Sequence, residues 1–401
     1  MGSNGEEPVT ASVIIAGART PIGRFRGGLA ELEAVDLGAV AIREALSRSR
    51  VQSDQVDYVI MGHVLQAGAG QITARQAAIA AGIPKEVPAL TINKVCLSGI
   101  NAIALADQLI RAGEVEIVVA GGMESMTRAP YLLPKAREGM RLGHAELVDS
   151  MIHDGLWSTL TQHHMGEDSD AVNAELRISR QDQDAWSARS HRRAAAAWDE
   201  GRLGEEVVPV EIAQRTGEPV VIDRDEGIRP DSTPEALAGL KPAFSADGTI
   251  TAGNASQISD GAAAVVVTSE EAAARLGLEP IARMVAHGMS AERFPYLHTV
   301  PAIALQNALK KAQLDVHDLE LLEVNEAFAA VALHVTRILG FDEEATNVNG
   351  GAVALGHPIG ASGARLVLTL AHEMRRRGVD LGGATICGGG GQGDALVLRR
   401  V

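Results

Sequence analysis

Residues 44–62, EALSRSRVQSDQVDYVIMG, and residues 307–325, NALKKAQLDVHDLELLEVN, have the same pattern and decide the fold. In each stretch the end of an amphipathic helix is followed by a polar turn and then by an apolar strand. The two stretches align with each other without a gap. This internal repeat predicts that the chain contains two copies of one folding unit.

A second repeated unit follows each of these stretches in the same order. Residues 95–122 contain a strand end, a Cys-x-Ser-Gly sequence, a helix and a strand. Residues 348–391 contain a strand, a loop, a helix from Ala364 to about Arg377 and a further strand. Repeated strand–helix–strand units predict an α/β fold with a mostly parallel sheet covered by helices. An active site of such a fold would collect loops from both halves.

The chain between the repeats, from about Ser125 to Thr251, follows a different pattern. It contains all three tryptophans, Trp157, Trp186 and Trp198, together with many charged residues. It also contains a helical segment, Arg180–Asp199, and loops marked by proline and glycine. We interpret this stretch as a long insertion that covers a site rather than as a separate module.

Composition and charge limit the classes of function. The 401 residues are 46% apolar but only 3% aromatic, so the core is built from small aliphatic residues that suit helices packed on a buried sheet. A net charge of −15 argues against nucleic acid and anionic membranes as partners. No apolar run approaches the ~18 residues needed to span a bilayer, and no targeting signal is visible. We therefore expect a cytoplasmic protein.

The two cysteines of the chain each lie in a glycine-rich apolar stretch. Cys96 lies in NKVCLSG, residues 93–99, before a predicted helix, and Cys387 lies in TICGGGG, residues 385–391. Either cysteine could be a small buried hydrophobic residue. Glycines, however, let the backbone come close to a bound group, which a core cysteine does not need. We therefore interpret both cysteines as site residues.

These cysteines have candidate partners elsewhere in the sequence. A thiol at a helix N-terminus is expected to have a lowered pKa, and His357, in GHPIG, could take its proton to form a thiolate–imidazolium pair. A lone histidine can also be structural, but the proline and glycines around His357 favour a functional turn. Cys387 is then a second acid/base, and the glycines after it offer backbone N–H groups to an oxyanion. Asn325, at the end of a predicted strand, could donate to an oxyanion directly or through water.

Six stretches, in the same order, resemble those of the thiolases, and in particular the acetyl-CoA acetyltransferase type. They are residues 93–99 (NKVCLSG), 121–126 (GGMESM), 325–329 (NEAFA), 349–352 (NGGA), 356–363 (GHPIGASG) and 387–391 (CGGGG). The resemblance begins at residues 18–23 (ARTPIG) and continues to the C-terminus, so it covers nearly the whole chain. Six stretches in one order are far more specific than any one of them.

The resemblance implies the thiolase fold, a duplicated five-layered αβαβα core with an inserted covering loop domain. On this resemblance residues 1–124 and 252–275 form the N-terminal core half, residues 125–251 form the covering domain, and residues 276–401 form the C-terminal core half. It also implies a homotetramer, a dimer of dimers, in which the loop of residues 130–143 joins the dimers.

The resemblance also implies a reaction and the roles of five residues. The reaction is the reversible condensation of two acetyl-CoA molecules to acetoacetyl-CoA and CoA through an acetyl-cysteine. Cys96 would be the acylated nucleophile, His357 its base, and Cys387 the thiol that moves the proton at the substrate α-carbon. Asn325, through a water, and His357 would form one oxyanion hole, and the backbone N–H groups of Cys96 and Gly389 would form the other.

Further residues match positions that bind coenzyme A in the thiolases. They are Leu156, His164, Met165, Ser256, Ala327 and Phe328 along the pantetheine tunnel, Ala243 and Phe244 at its edge, and Arg229 near the nucleotide end. Coenzyme A thioesters are substrates, so no cofactor is expected. The histidines of residues 144–164 do not have the spacing of a metal site, so no metal is expected either.

Two departures from the bacterial biosynthetic pattern concern the substrate. Leu97 follows the nucleophile where a glycine is common, and residues 292–297 (ERFPYL) replace a stretch that usually places a methionine against the substrate. Phe294-Pro295 resembles the branch that also accepts 2-methyl-branched substrates. We predict a short acyl pocket, crowded by Phe328, Phe294-Pro295 and His164-Met165.

Two alternative functions remain open on the sequence. The first is a degradative 3-ketoacyl-CoA thiolase of fatty-acid β-oxidation, which would cleave longer chains. The second, more distant, is a non-catalytic acyl-CoA- or lipid-binding protein with a thiolase-like fold. Such a protein should lack one of the three catalytic positions, whereas this sequence keeps Cys96, His357 and Cys387.

Overall fold

The computed structural model describes residues 11–293 and 295–401 of the chain. The α-helices, in chain order, are α1 (Ala34–Ser49), α2 (Thr73–Ala80), α3 (Ser98–Arg111), α4 (Met165–Leu176), α5 (Arg180–Asp199), α6 (Pro234–Ala238), α7 (Glu270–Leu276), α8 (Val300–Ala312), α9 (Ala329–Leu339), α10 (Ala352–Leu355) and α11 (Ser362–Arg377). The strands are β1 (Ser12–Arg19), β2 (Gly23–Arg24), β3 (Tyr58–Gly62), β4 (Ala89–Ile92), β5 (Ile117–Ser125), β6 (Tyr131–Leu132), β7 (Val148–Asp149), β8 (Trp157–Ser158), β9 (His163–His164), β10 (Val210–Ile212), β11 (Val220–Ile222), β12 (Ser259–Ser269), β13 (Ala282–Ala291), β14 (Leu321–Val324), β15 (Leu381–Gly388) and β16 (Gln392–Arg399).

The main sheet joins the two halves of the chain. Its strand order is β14-β15-β16-β13-β1-β12-β5-β3-β4, with β2 paired to β12. The halves meet at β1 and β13, where only the pairs Val13–Arg283 and Ile14–Ala282 are in register. On each side of this short junction the strands are arranged alike. Strand β3 is parallel to β5 and β12 antiparallel to it, just as β14 is parallel to β15 and β16 antiparallel to it.

The predicted internal repeat is therefore present, but the prediction of a mostly parallel sheet was wrong. Within the part of the main sheet that the structure describes, parallel pairing is confined to β3–β4, β3–β5 and β14–β15. Strand β16 returns directly from β15 through a tight turn, in which Gly390 and Gly391 have φ of +82° and +70°. A turn this short can join only antiparallel strands.

The layers follow the order helix, sheet, helix, sheet, helix. Helices α1 and α2 cover the outer face of the N-terminal strands, and α8 covers the outer face of the C-terminal strands. Between the two half-sheets α3 packs against α11. Both inner helices are buried on most of their surface. This fits the Ala, Ile, Leu and Val residues that recur along α3 and along the first part of α11. This is the five-layered arrangement that the resemblance implies.

Two glycines allow the inner helices to start close together. A Cβ atom on Gly99 would lie 2.7 Å from the backbone nitrogen of Ala364, and one on Gly363 would lie 2.4 Å from that of Ile100. Only glycine fits at such a backbone contact. Because Cys96 precedes α3 and His357 precedes α11, this contact brings the two loops into one region.

The insertion packs on both halves: Val210 and Ile212 of β10 lie in one hydrophobic cluster with Ile42 of α1, while the long helix α5 lies on the C-terminal half. The insertion contains α4, α5, α6 and three short hairpins, and α5 has the bounds predicted from the sequence. Helix α5 packs against α9 and α10. Trp186 Nε1 and Ser190 Oγ, both on α5, donate hydrogen bonds of 2.8 Å to the two carboxylate oxygens of buried Glu326. Across residues 11–293 and 295–401, no helix is long and apolar enough to cross a membrane.

Candidate active site

A cavity of about 210 Å³ lies where loops of both halves meet the insertion. Its walls are mostly apolar, and they include two thiols and two imidazoles. The lining residues are Cys96, Leu156, His164, Met165, Phe244, Ala255, Ser256, Ile258, Leu297, Ala327, Phe328, His357, Ile359, Cys387, Gly388 and Gly389. Such a wall suits a ligand with an apolar arm and a small reactive end.

Most of the site residues expected from the sequence lie in this wall. Three of them do not line the cavity. Asn325 is buried behind it and reaches it through His357, since Asn325 Nδ2 lies 3.3 Å from His357 Nε2. Ala243 is the chain neighbour of the lining residue Phe244. Arg229 is exposed on a loop, where its backbone N–H donates to His191 Nδ1.

A strained turn presents Cys96 to the cavity. Val95, directly before it, has φ of +50°, a left-handed conformation that is unusual for a β-branched residue. Side chains on either side hold this turn. Asn93 Oδ1 accepts the backbone N–H of Val95 at 3.0 Å, and Ser98 Oγ donates to the Val95 carbonyl at 2.6 Å. Backbone strain that is held in this way is typical of functional sites.

The pKa of Cys96 differs from the expectation. Burial raises it to about 12, although hydrogen bonds from the backbone N–H groups of Gly389 and of Cys96 itself act in the opposite direction. The predicted lowering by the helix N-terminus was therefore wrong for the free protein, because desolvation of a thiolate outweighs the helix dipole. The two N–H groups nevertheless point at the place where negative charge would develop.

His357 is held in one tautomer. The hydroxyl of Ser362 donates to the carbonyl of Pro358 at 2.9 Å, so its single proton is already used. Its oxygen lies 2.6 Å from His357 Nδ1 and must therefore accept the Nδ1 proton. The lone pair is then on Nε2, which faces the amide nitrogen of Asn325 at 3.3 Å. The imidazole can take a proton at Nε2 and at no other atom.

Burial, with a smaller contribution from the guanidinium of Arg365, lowers the pKa of His357 to about 3. The imidazole is thus neutral at pH 7 in the free protein. Together with the raised pKa of Cys96 this means that thiol and imidazole are both uncharged, rather than the ion pair that the sequence suggests. Proton transfer between them becomes favourable only when a substrate brings charge that the pair can stabilise.

Cys387 lies at the end of β15, on the opposite side of the glycine turn from β16. It is buried, and both its burial and the nearby Cys96 raise its pKa above that of an ordinary thiol. Both cysteines are free. Two protonated thiols close together can act in turn, one as nucleophile and one as acid/base, because only one of them needs to be ionised at a time.

Asn325 and Glu326 follow β14 and are fixed by many hydrogen bonds. The Asn325 backbone N–H donates to Thr385 on β15 at 3.0 Å. In addition to its bonds from the insertion, the Glu326 carboxylate accepts from Asn347 Nδ2 at 2.9 Å and from the backbone N–H of Val353 at 3.0 Å. Asn325 Oδ1 is buried and, among the described residues, has no hydrogen-bond partner. Glu326 is thus the anchor that holds Asn325 beside His357.

Three rings form the wall where the insertion meets the C-terminal half, His164 and Phe244 from the insertion and Phe328 from before α9. His164 stacks on Phe244 with ring centroids 4.6 Å apart, and Phe244 meets Phe328 edge-on at 6.1 Å. His164 Nδ1 accepts the backbone N–H of Gly166 and so caps α4. The stack fixes the width of the cavity between the covering insertion and the core.

Five lining residues were missed in the sequence. They are Ala255, Ile258, Leu297, Ile359 and Gly388. Ile359 and Gly388 lie inside stretches already identified, so their neighbours were a sufficient signal. Leu297 ends the stretch of residues 292–297, which was noted for its departure from the usual pattern, and Ala255 and Ile258 are aliphatic residues with no local mark of function. Phe294, expected to crowd the pocket, lies outside the described residues, and Pro295 is not part of the cavity wall.

Replacing Ser362 by alanine tests the role of the fixed tautomer. His357 Nδ1–H would lose its acceptor, and a buried donor without a partner costs about 1–3 kcal/mol, which is about 5- to 160-fold in rate if the ring must be held for reaction. We expect kcat of the thiol-dependent reaction at this site to fall by that factor. Ser187→Ala, at a buried serine of α5 that bonds to the Gln183 carbonyl, is the control. Equal kcat in both variants would contradict the assignment.

Fold and site together define a thiol acyltransferase of the thiolase class. Two family models match the chain, the N-terminal domain of thiolase over residues 12–271 and the C-terminal domain of thiolase over residues 278–400. The chain belongs to the thiolase family.

Relatives within this family are similar over the full length. A probable acetyl-CoA acetyltransferase of Mycolicibacterium smegmatis is 56% identical over 388 residues, which are 97% of this chain and 100% of that protein. The acetyl-CoA acetyltransferase of Pseudomonas aeruginosa is 50% identical over 97% of this chain and 99% of its own length. The crystal structure of the Bacillus anthracis acetyl-CoA acetyltransferase superimposes with a TM-score of 0.95 at 42% identity, covering 98% of this chain and 99% of that one.

Proposed function

We propose that this protein is an acetyl-CoA C-acetyltransferase, which condenses two acetyl-CoA molecules to acetoacetyl-CoA and CoA and catalyses the reverse thiolysis. The observation that supports this most is the presence of two free thiols, one neutral imidazole and two backbone N–H donors in one cavity. Relatives at 50–56% identity carry the same activity in their names. Coenzyme A and its acetyl and acetoacetyl thioesters are the partners that follow from this proposal.

The first half-reaction transfers an acetyl group to the protein. His357 Nε2 takes the proton of Cys96, whose sulfur attacks the thioester carbonyl of acetyl-CoA. The backbone N–H groups of Cys96 and Gly389 stabilise the oxyanion of the tetrahedral intermediate. The intermediate then expels CoA as a thiolate, which takes up the proton held on His357. The products are acetyl-Cys96 and free CoA.

The second half-reaction forms the carbon–carbon bond. The thiol proton of Cys387 passes to His357 Nε2, and the resulting thiolate removes a proton from the methyl group of a second acetyl-CoA. Asn325 and the protonated imidazole of His357 stabilise the resulting enolate oxygen. The carbanion attacks the carbonyl carbon of acetyl-Cys96, and the sulfur of Cys96 leaves with the bonding electrons and takes the proton from His357. Acetoacetyl-CoA is released. Read backwards, the same steps cleave acetoacetyl-CoA with CoA as the nucleophile.

The substrate range follows from the cavity. The rings of Phe244, Phe328 and His164 and the side chain of Met165 form part of the wall of the cavity of about 210 Å³, and a longer acyl chain would have to displace packed side chains. We expect kcat/KM to be highest for acetoacetyl-CoA, with a 2-methyl group tolerated and C8–C16 3-ketoacyl-CoAs cleaved poorly. Steady-state thiolysis across these substrates measures this. Equal or higher kcat/KM for 3-ketohexadecanoyl-CoA would indicate the β-oxidation branch instead.

The proposed quaternary structure is a homotetramer, a dimer of dimers. Support comes from the loop around β6 and β7, which carries large exposed apolar side chains: Tyr131 is 64%, Leu142 101% and Leu147 65% exposed. Apolar side chains clustered on one projection mark a contact surface. Light scattering at micromolar concentration is expected to give four times the mass of the 41.9 kDa chain. A stable, active monomer would contradict the proposal.

Two further parts of the proposal concern organisation and location. We divide the chain into an N-terminal core half (1–124 and 252–275), a covering domain (125–251) and a C-terminal core half (276–401). The pairing of β12 with β1 and β5 supports the return of the chain to the first half after the insertion.

The proposed location is the cytoplasm, where two free thiols in one site would stay reduced.

A further inference from the structure

Glu124, near the end of β5, is a fully buried carboxylate that bridges two loops from different halves of the chain. One oxygen, Oε2, accepts the backbone N–H of Gly360 at 2.9 Å and that of Val64 at 3.1 Å. The other, Oε1, accepts the backbone N–H of Leu65 at 3.1 Å. The reaction steps proposed above do not use this side chain.

The bridge ends in the turn that carries His357. Gly360 lies three residues after His357 and two before Ser362, which fixes the imidazole tautomer. A Cβ atom on Gly360 would lie 2.8 Å from Glu124 Oε2, so only glycine lets this backbone reach the carboxylate. A Cβ atom on Gly122, also on β5, would lie 1.9 Å from the Gly360 carbonyl oxygen. The turn of residues 357–362 thus packs directly against the end of β5.

The other ionisable groups near Glu124 come from three elements. His63 Nε2, after β3, lies 3.4 Å from Glu124 Oε1, and Asp260 on β12 and Cys96 before α3 are close enough for their charges to interact with it. Burial raises the pKa of Glu124 to about 7, against the three N–H donors. A buried carboxylate costs several kcal/mol in desolvation, so an apolar residue would be the more stabilising choice if packing were its only role.

We propose that Glu124 is a positioning residue that holds the turn of residues 357–362 on β5 and thereby sets His357 Nε2 toward the thiol of Cys96. This inference rests on the proposed function of His357 as the base. A carboxylate suits this task because both of its oxygens accept, so one side chain can hold the loop after β3 and the turn before α11 at once. The role depends on the reach of the side chain and not on its charge.

Two variants of Glu124 separate the effect of side-chain length from the effect of charge. Glu124→Asp keeps the charge and both oxygens but withdraws them by one methylene, so the bond to Gly360 is lost together with the bonds to Val64 and Leu65. Glu124→Gln keeps the reach, and its single acceptor oxygen can stay with Gly360 and Val64 while the bond to Leu65 is lost. We expect kcat for acetoacetyl-CoA thiolysis to fall about 10²-fold in the aspartate variant, as for a displaced catalytic group, and less than about tenfold in the glutamine variant. KM should change less than twofold in both.

Hydrogen exchange gives a readout that does not depend on activity. In the aspartate variant the peptide of residues 356–363 should exchange faster than in the wild type. In the glutamine variant that peptide should stay protected, while the peptide of residues 63–67 should exchange faster. The matched control is Glu206→Asp, which shortens a buried carboxylate bonded to Arg19 Nε at 2.6 Å and Thr369 Oγ1 at 2.8 Å. It should lower Tm but leave kcat and the exchange of residues 356–363 unchanged.

The outcomes are decisive in either direction. The proposal is wrong if the aspartate variant keeps its kcat, if the glutamine variant loses as much kcat as the aspartate variant, or if residues 356–363 exchange alike in all variants. If the aspartate variant does not fold, the glutamine variant still tests the proposal. In that variant residues 356–363 should stay protected from exchange while residues 63–67 exchange faster. Failure of the proposed function would be seen separately, as absence of thiolysis in the wild type with the exchange pattern intact.

Discussion

Replacing Cys96 by alanine is expected to lower kcat for both thiolysis and condensation by at least about 10⁴-fold, because both directions pass through acetyl-Cys96. The strained turn at Val95 presents the thiol of Cys96, and the N–H groups of Cys96 and Gly389 point at it. Steady-state rates with acetoacetyl-CoA, together with exchange of label between acetyl-CoA and free CoA, measure both the overall reaction and the first half-reaction.

The alanine variant should fold and bind coenzyme A, since the cavity loses only one sulfur atom. Circular dichroism and a binding titration with CoA are the controls for that point. A variant that retained more than about a hundredth of the wild-type exchange rate would show that another residue takes the acetyl group. Cys387 would then be the first candidate, as the other thiol in the cavity.

The second large effect is expected for Cys387→Ser, which should separate the two half-reactions. A hydroxyl is a far weaker acid/base than a thiol near neutral pH, so removal of the α-proton should be slowed by about 10²–10⁴-fold. Acetyl transfer to Cys96 does not need Cys387, so exchange of label between acetyl-CoA and CoA should stay within about tenfold of the wild type. The measurement is the ratio of the exchange rate to the condensation rate.

Cys96→Ser is the matched control for that ratio. It should lose exchange and condensation together, whereas Cys387→Ser should lose only condensation. If the two serine variants gave the same ratio, the division of labour between the thiols would be wrong.

The sequence predicted the halves of the fold better than the direction of its strands. The repeat of residues 44–62 in residues 307–325 was visible because apolar periodicity and turns are local features. Strand direction depends on connections, and β12 is separated from β5 by the whole insertion. Helix α5 was predicted with its bounds because a serine caps its start and alanine and arginine, which favour helices, make up much of its length.

In the site, the reactive residues at loop ends were predicted from their own types and positions, whereas the wall between them was predicted only in part, and from the resemblance. Cysteine, histidine and asparagine beside glycines are conspicuous in a sequence, whereas Ala255, Ile258 and Leu297 are ordinary aliphatic residues whose role depends on which loops meet. The pKa of Cys96 could not be predicted either. The helix N-terminus was visible in the sequence, but the burial that outweighs it is a property of the whole fold.

The roles of the buried carboxylates are what the sequence predicted least well. Glu124 and Glu326 lie in stretches that were identified, yet their partners come from distant parts of the chain. Such side chains hold the reacting groups without touching the cavity. Their roles are readable only once the hydrogen bonds are known.

The identity of the acylated residue is the most direct test of the account. The protein, treated briefly with acetyl-CoA and quenched at acid pH, would be digested and its peptides analysed by mass spectrometry. We expect an acetyl group on the peptide that contains Cys96, in the wild type and in Cys387→Ser, and none in Cys96→Ala. A stable acetyl group on Cys387 with Cys96 unmodified would contradict the central claim.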